Sequence, residues 1–194
     1  VSFSGGLAAG GMPAVFAVYS TFLQRSVDQI IHDVATQKLH MILAIDRAGI
    51  VGEDGETHQG VFDVALLNPI PNVEIYSPCY FEELRRDLQT AAYSNSGVIA
   101  VRYPKGGELY RPANFLPGKN TFDFYGGMSA QVLLVTYGRL FSYACIAKER
   151  LYKSGVDITI LKLNRIKPIP KEAILESLHF KHIFFFEEGM AAGG

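Results

Sequence analysis

Cysteine is almost missing: Cys79 and Cys145 are the only two in 194 residues. They lie far apart with no C-x-x-C spacing, so neither a disulfide framework nor a zinc site is expected, and a reducing cytoplasm fits best. An excess of one charge is missing too. With 18 Lys and Arg interspersed among 19 Asp and Glu the net charge is −1. The concentrated basic surface that a phosphate backbone requires is lacking, and nucleic acid is not expected as a partner. No apolar run reaches the roughly 20 residues of a spanning helix; even Leu7 to Tyr19 is broken by Gly10, Gly11 and Pro13. A soluble protein with no membrane role is expected. Signal peptide, transit peptide and start methionine are absent as well, and the chain reads as a piece of something longer.

What is present is a packable chain. Hydrophobic residues make up 48% of it, ample for the core of one large or two small domains. Apolar strand-like runs alternate with helix-like segments, the pattern of a parallel sheet covered by helices, so the fold class is α/β. Strands are expected at Pro13 to Tyr19, Leu39 to Ile45, Val73 to Tyr76 and Val98 to Tyr103, and helices at Thr21 to Gln37, Phe62 to Leu67 and Phe81 to Tyr93. The text from Lys105 to Gly127 is dense in Gly and Pro and marks a junction. A second unit follows, with strands at Gln131 to Tyr137, Val156 to Leu163 and Ile183 to Phe186 and helices at Phe141 to Lys153 and Lys171 to Leu178. The expected organisation is two consecutive parallel-sheet α/β units: a first domain over 1–115, a linker over 116–127, and a second domain over 128–194 that looks cut short after its last strand.

Ligands of open parallel sheets collect at the carboxyl ends of the strands. Three such ends in the first unit carry Tyr19 with Phe22, then Asp46 with Arg47, then Arg102 with Lys105. Arg47, Arg102 and Lys105 could together hold an anionic group, arginine by a planar fork and lysine as a point charge; alternatively each pairs with a neighbouring carboxylate. After Arg47 the loop to Gly60 holds four glycines, three carboxylates (Glu53, Asp54, Glu56) and His58. Asp54 and His58 are close enough in a compact loop to form a proton-handling pair, and an exposed loop histidine is the plainer alternative. His32, His40, His179 and His182 read as structural. Calcium is not expected, because Ala48 and Ile50 stand where an EF-hand loop needs oxygen ligands. The glycines of Gly5 to Gly11 and Gly193 to Gly194 match neither dinucleotide nor Walker spacing and read as packing residues. Ser142 and Cys145 have no histidine nearby to mark a nucleophile.

The segments YSTFLQRSVDQIIHDVATQKL, AIDRAGIVGEDGETHQG and AVRYPKGG, followed by LKLNRIKPIP and FFFEEGMAAGG, resemble the 1-deoxy-D-xylulose-5-phosphate synthases, thiamine-diphosphate enzymes of the transketolase superfamily. The resemblance implies a pyrimidine-binding domain over the first part and a C-terminal domain over the second. It implies condensation of pyruvate with D-glyceraldehyde 3-phosphate, with loss of carbon dioxide, at the head of isoprenoid and thiamine synthesis. Phe22 would stack on the aminopyrimidine with Arg25 close by, while Tyr19, Arg47, Asp54 and His58 would face the substrates, His58 and Asp54 handling hydroxyl protons of the acceptor. Arg47 and Lys105 would hold its phosphate, Lys105 standing where many relatives have Arg. The family's activating glutamate, in an E-Q-H-A motif, and its G-D-G…N magnesium and diphosphate motif are not in this stretch. No cofactor or metal is therefore expected on the 194 residues alone, which should be inactive, while the full-length protein would be a homodimer using thiamine diphosphate and Mg2+. A 2-oxoacid dehydrogenase β subunit and a non-catalytic dimerisation module are the alternatives.

Overall fold

The computed structural model describes residues 1–95, 97–118 and 121–192. Gly193 and Gly194, read above as packing glycines, fall outside that range, as do Lys119 and Asn120 of the expected linker. The first unit opens with α1 (Ser2–Ala9) and β1 (Val15–Tyr19), then a helical stretch containing α2 (Ser20–Leu23) and α3 (Val27–Gln29). Next come β2 (Met41–Asp46), α4 (Asp63–Leu67), β3 (Val73–Tyr76), α5 (Phe81–Tyr93) and β4 (Val98–Arg102). The second contains β5 (Phe122–Tyr125), β6 (Val132–Tyr137), α6 (Leu140–Lys153), β7 (Thr159–Leu163), β8 (Arg165–Lys167), α7 (Lys171–Ser177) and β9 (His182–Phe186). Among the described residues no helix is long and apolar enough to cross a membrane.

Two sheets result. The first has the order β1-β2-β4-β3-β8 and the second β5-β7-β6-β9. β1 to β4 run parallel to one another, as do β6, β7 and β9. MILAI of β2 and VIAVR of β4 are buried throughout, as continuous apolar runs must be when helices cover both faces of a sheet. α5 starts where Glu83 turns back to accept the backbone N–H groups of Cys79 (2.9 Å) and Tyr80 (3.2 Å), satisfying donors that the first turn leaves over.

The structure departs from the sequence expectations in three places. The helix expected over Thr21 to Gln37 is a succession of turns, with a 3-10 turn at Gln24–Ser26 and a π-helical turn at Ile30–Ala35. Val27, Ile30, Ile31 and Val34 are β-branched and crowd a regular helix; the wider turn leaves Ile30, Val34 and Ala35 fully buried. β5 lies inside the segment expected to be linker and pairs antiparallel with β7. β8, three residues long, leaves the second unit and adds antiparallel to β3 of the first sheet.

The units are therefore tightly joined. One apolar cluster runs from Leu43 and Ile75 of the first sheet to Val135 and Leu161 of the second. Between α5 and β7, Lys162 donates to Glu83 at 2.5 Å with both side chains wholly buried, and the Asn164 amide donates to both oxygens of Asp87.

Candidate active site

Parallel register decides what meets. Tyr19 lies beside Asp46 on the neighbouring strand, and Ile45 beside Arg102, so β1, β2 and β4 all end at one edge. Arg47, the first residue past β2, has a left-handed backbone with φ +59°. Its Nη1 donates to Asp46 Oδ2 at 2.7 Å and its Nε to Asp54 Oδ2 at 3.0 Å. The guanidinium carbon lies 3.7 Å from the Tyr19 ring centre, an attraction between a cation and a π face. From the end of β4, Lys105 donates through Nζ to the other Asp54 oxygen at 2.5 Å, with Glu53 at 3.6 Å. The Lys105 hydrogen bond holds the Asp54 carboxyl below its ordinary range, and the same bond raises the lysine's pKa.

On the other side of Tyr19 the edge turns apolar. Phe22 lies nearly parallel to Tyr19, ring centres 5.9 Å apart at 17°. The Arg25 guanidinium is 5.2 Å from the Phe22 centre. His58 meets Phe22 edge-on at 5.2 Å and 78°, and Thr21 Oγ1 donates to the Thr57 carbonyl at 2.8 Å, tying α2 to the loop. A cavity of about 350 Å³ opens here, lined by Ala17, Val18, Tyr19, Phe22, Asp46 and Tyr103. A second, of about 280 Å³, lies on the far side of Asp46 and includes Arg47, Lys105 and Tyr103 in its wall. Flat ring walls beside a single carboxylate suit an aromatic ring with polar edges.

Two expectations need correcting. Asp54 and His58 do not pair with each other: Asp54 spends both oxygens on Arg47 and Lys105, and His58 Nδ1 instead meets Thr57 Oγ1 at 2.8 Å. Two cations, one of them an arginine, are stronger partners for a carboxylate than a single imidazole. Arg102 stands apart from Arg47 and Lys105 and is only 4% exposed. Its Nε and Nη2 reach the two Asp63 oxygens at 2.9 and 3.2 Å, its Nη1 reaches Ser77 Oγ at 3.3 Å, and its guanidinium faces the Tyr137 ring at 5.4 Å. A buried fork with its donors occupied is a structural ion pair, so of the three expected cations only Arg47 and Lys105 stand together, sharing Asp54. Tyr103, not singled out from sequence, forms a wall of both cavities; its place directly after β4 was the available signal.

A parallel-sheet edge carrying a ring-walled cavity beside two cations that share a carboxylate places the chain among α/β proteins with a pocket at the carboxyl ends of their strands. The chain belongs to the transketolase family: residues 1–109 match the domain described as "Transketolase, pyrimidine binding domain", and residues 128–194 the one described as "Transketolase, C-terminal domain". It is 42% identical to the 1-deoxy-D-xylulose-5-phosphate synthase of Clostridium beijerinckii over all of this chain and 32% of that protein. It is 47% identical to that of Clostridium acetobutylicum over 90% of this chain and 28% of that protein. The chain thus spans about a third of the length of the curated relatives it matches. A solved structure titled "Split gene transketolase, inactive beta4 tetramer" superposes with a TM-score of 0.85 at 21% identity, covering 99% of this chain and 63% of that one. The transketolase of Campylobacter jejuni gives 0.82 at 18% identity, covering 96% of this chain and 30% of that one. At these identities the likeness shows the fold.

Proposed function

We propose that this chain is the pyrimidine-binding and C-terminal part of a 1-deoxy-D-xylulose-5-phosphate synthase, a thiamine-diphosphate-dependent transferase that joins pyruvate to D-glyceraldehyde 3-phosphate with release of carbon dioxide. The observation that carries the reading is adjacency: the Tyr19 ring meets both the Phe22 ring and the Arg47 cation. A flat cofactor ring and a phosphorylated acceptor can thereby be held side by side. The 42% identity over the whole chain supports the same reaction. We draw the pyrimidine-binding domain over 1–115, the junction over 116–127 and the C-terminal domain from 128.

Thiamine diphosphate, when bound, supplies the nucleophilic carbon and electron sink for decarboxylation. Phe22 offers the pyrimidine a stacking face worth roughly 0.5–1.5 kcal/mol, with Arg25 beside it. Arg47 and Lys105 bind the acceptor phosphate, Asp54 ceding its hydrogen bonds as the phosphate arrives. His58, edge-on to Phe22 and on the same loop as Asp54, exchanges the acceptor's hydroxyl proton, a role suited to an imidazole near neutral pH. Asp54 and Tyr19 complete that polar wall. Residues for magnesium and the diphosphate are assigned to the part of such an enzyme beyond these 194 residues, which alone are expected to make no product. The whole enzyme is a cytoplasmic homodimer in this reading.

The test is turnover by the full-length protein that carries this chain. Pyruvate with D-glyceraldehyde 3-phosphate should give 1-deoxy-D-xylulose 5-phosphate and carbon dioxide, and D-glyceraldehyde, lacking the phosphate, should be a poor acceptor. Transfer to a lipoyl group would mark a 2-oxoacid dehydrogenase subunit, and no reaction with any acceptor a dimerisation module.

A further inference from the structure

The carboxyl edge of the second sheet holds a polar cluster that the reaction above leaves unused. Arg139 immediately precedes α6, and Glu188 follows β9 by two residues. The Arg139 Nε donates to the two Glu188 oxygens at 3.1 and 2.9 Å, and Nη2 to Oε1 at 2.8 Å. The side chains are only 19% and 17% exposed. This is a fork geometry that fixes both partners. The same Nη2 also donates to the carbonyl of Ile50, across the junction and inside the loop that carries Arg47, Asp54 and His58.

Glu188 supports that loop from beneath as well. Gly49 has φ +88°, and a Cβ there would stand 2.3 Å from Glu188 Oε2, so the backbone lies directly on the carboxylate. Gly49 and Gly60 exchange both backbone hydrogen bonds at 2.8 Å, closing the loop at its base, and the Met190 N–H donates to the Val61 carbonyl at 3.1 Å. Arg47 at φ +59° and Gly49 at φ +88° thus bracket a turn that a non-glycine residue enters only under strain, and such a conformation persists when its surroundings over-determine it. The surroundings here include the fork from the second unit.

We propose that Arg139, fixed by Glu188, is a positioning residue for the acceptor phosphate: by holding the Ile50 carbonyl it keeps the left-handed turn that aims Arg47. This rests on the reading of Arg47 as a phosphate ligand. Arg139 touches no substrate, so its loss should loosen the aim of Arg47 and leave pyruvate untouched.

The experiment uses Arg139→Met, which keeps the length of the stem and removes the fork. In the full-length enzyme the KM for D-glyceraldehyde 3-phosphate is expected to rise about tenfold, since a small misplacement of a binding group is costly, while the KM for pyruvate stays within about twofold. Use of unphosphorylated D-glyceraldehyde should be unchanged. In parallel, hydrogen exchange on the full-length protein should speed up over 48–60 and remain slow in β6 and α6. Arg139→Lys keeps the charge without the fork and should show the same split in weaker form, which keeps the test open should Arg139→Met fail to fold. Unchanged KM values, or a parallel loss for both substrates together with general loss of protection, would overturn the proposal. If the wild-type enzyme makes no 1-deoxy-D-xylulose 5-phosphate, the functional reading fails instead, and unaltered loop exchange in Arg139→Met would then overturn the clamp on its own.

Discussion

The two sheets end their parallel strands in the same kinds of charged residue and use them oppositely. At the edge of the first, Arg47 and Lys105 keep 20% and 34% of their side chains exposed and share Asp54, a carboxylate on a loop. At the edge of the second, Arg139 is committed to Glu188 and turned toward the first unit. Arg102 belongs chemically with the second group although it sits on the first sheet, because Asp63 meets it from the buried start of α4 with both side chains at most 5% exposed. A cation at a strand end therefore does not mark a binding site. What separates the two kinds is how the carboxylate is shared: Asp63 and Glu188 each give both oxygens to one arginine fork, whereas Asp54 divides its oxygens between two cations from a loop.

The comparison breaks most visibly at Asp63. Asp63→Ala leaves the Arg102 charge buried with no carboxylate, which is expected to destabilise the fold by about 3–5 kcal/mol, read from urea unfolding of the chain. Asp54→Ala should move the same curve less, since Arg47 and Lys105, 20% and 34% exposed, can take up water in place of the carboxylate. Equal shifts in the two variants would erase the distinction between a structural and a functional pair.

The next largest effect is on catalysis. Arg47→Ala in the full-length enzyme should lower kcat/KM for D-glyceraldehyde 3-phosphate by roughly ten- to a hundredfold, the worth of one charge-assisted hydrogen bond. Pyruvate use should change much less, because pyruvate has no phosphate to lose contact with. Matching losses for both substrates would mean that Arg47 serves the fold of the loop and not the acceptor.

Much of this was legible because it is local. β2 and β4 stand out as unbroken apolar runs, and parallel pairing then brings Tyr19, Arg47 and Lys105 to one edge with no further information needed. The fate of Arg102 was not legible, since Asp63 is 39 positions away on a helix whose docking depends on the folded core. Asp54 misled for a related reason: His58 is near in sequence, but Lys105, 51 positions on, is the stronger partner. β5 and β8 escaped notice because four and three residues carry too little periodicity to read, and both are defined by the strands they join. The Arg139 fork spans 49 positions to Glu188 and 89 to Ile50; nothing in either segment alone announces it.

The smallest effect is a difference in titration between the open and the closed carboxylates. The Lys105 hydrogen bond holds Asp54 below the ordinary value of 3.8, while burial pushes Asp87, on the covered face of α5, above it. The consequences for stability have opposite signs. The Asp54 contribution is fully present above pH 3.8 and is lost as pH falls through the lower folded value; Asp87 keeps its proton longer when folded, so the fold loses stability as pH rises from 3.8 through its raised value. Lys105 adds the basic counterpart, present below pH 10.5 and lost as pH rises through its raised value. Carboxyl carbon NMR of the chain should show the two aspartate midpoints on opposite sides of 3.8. Lys105→Met should then move the Asp54 midpoint upward and leave that of Asp87 in place, because the lysine reaches only the first. An Asp54 midpoint that ignores the substitution would mean that Lys105 does not hold this carboxylate in solution, and the shared cation pair would reduce to Arg47 alone.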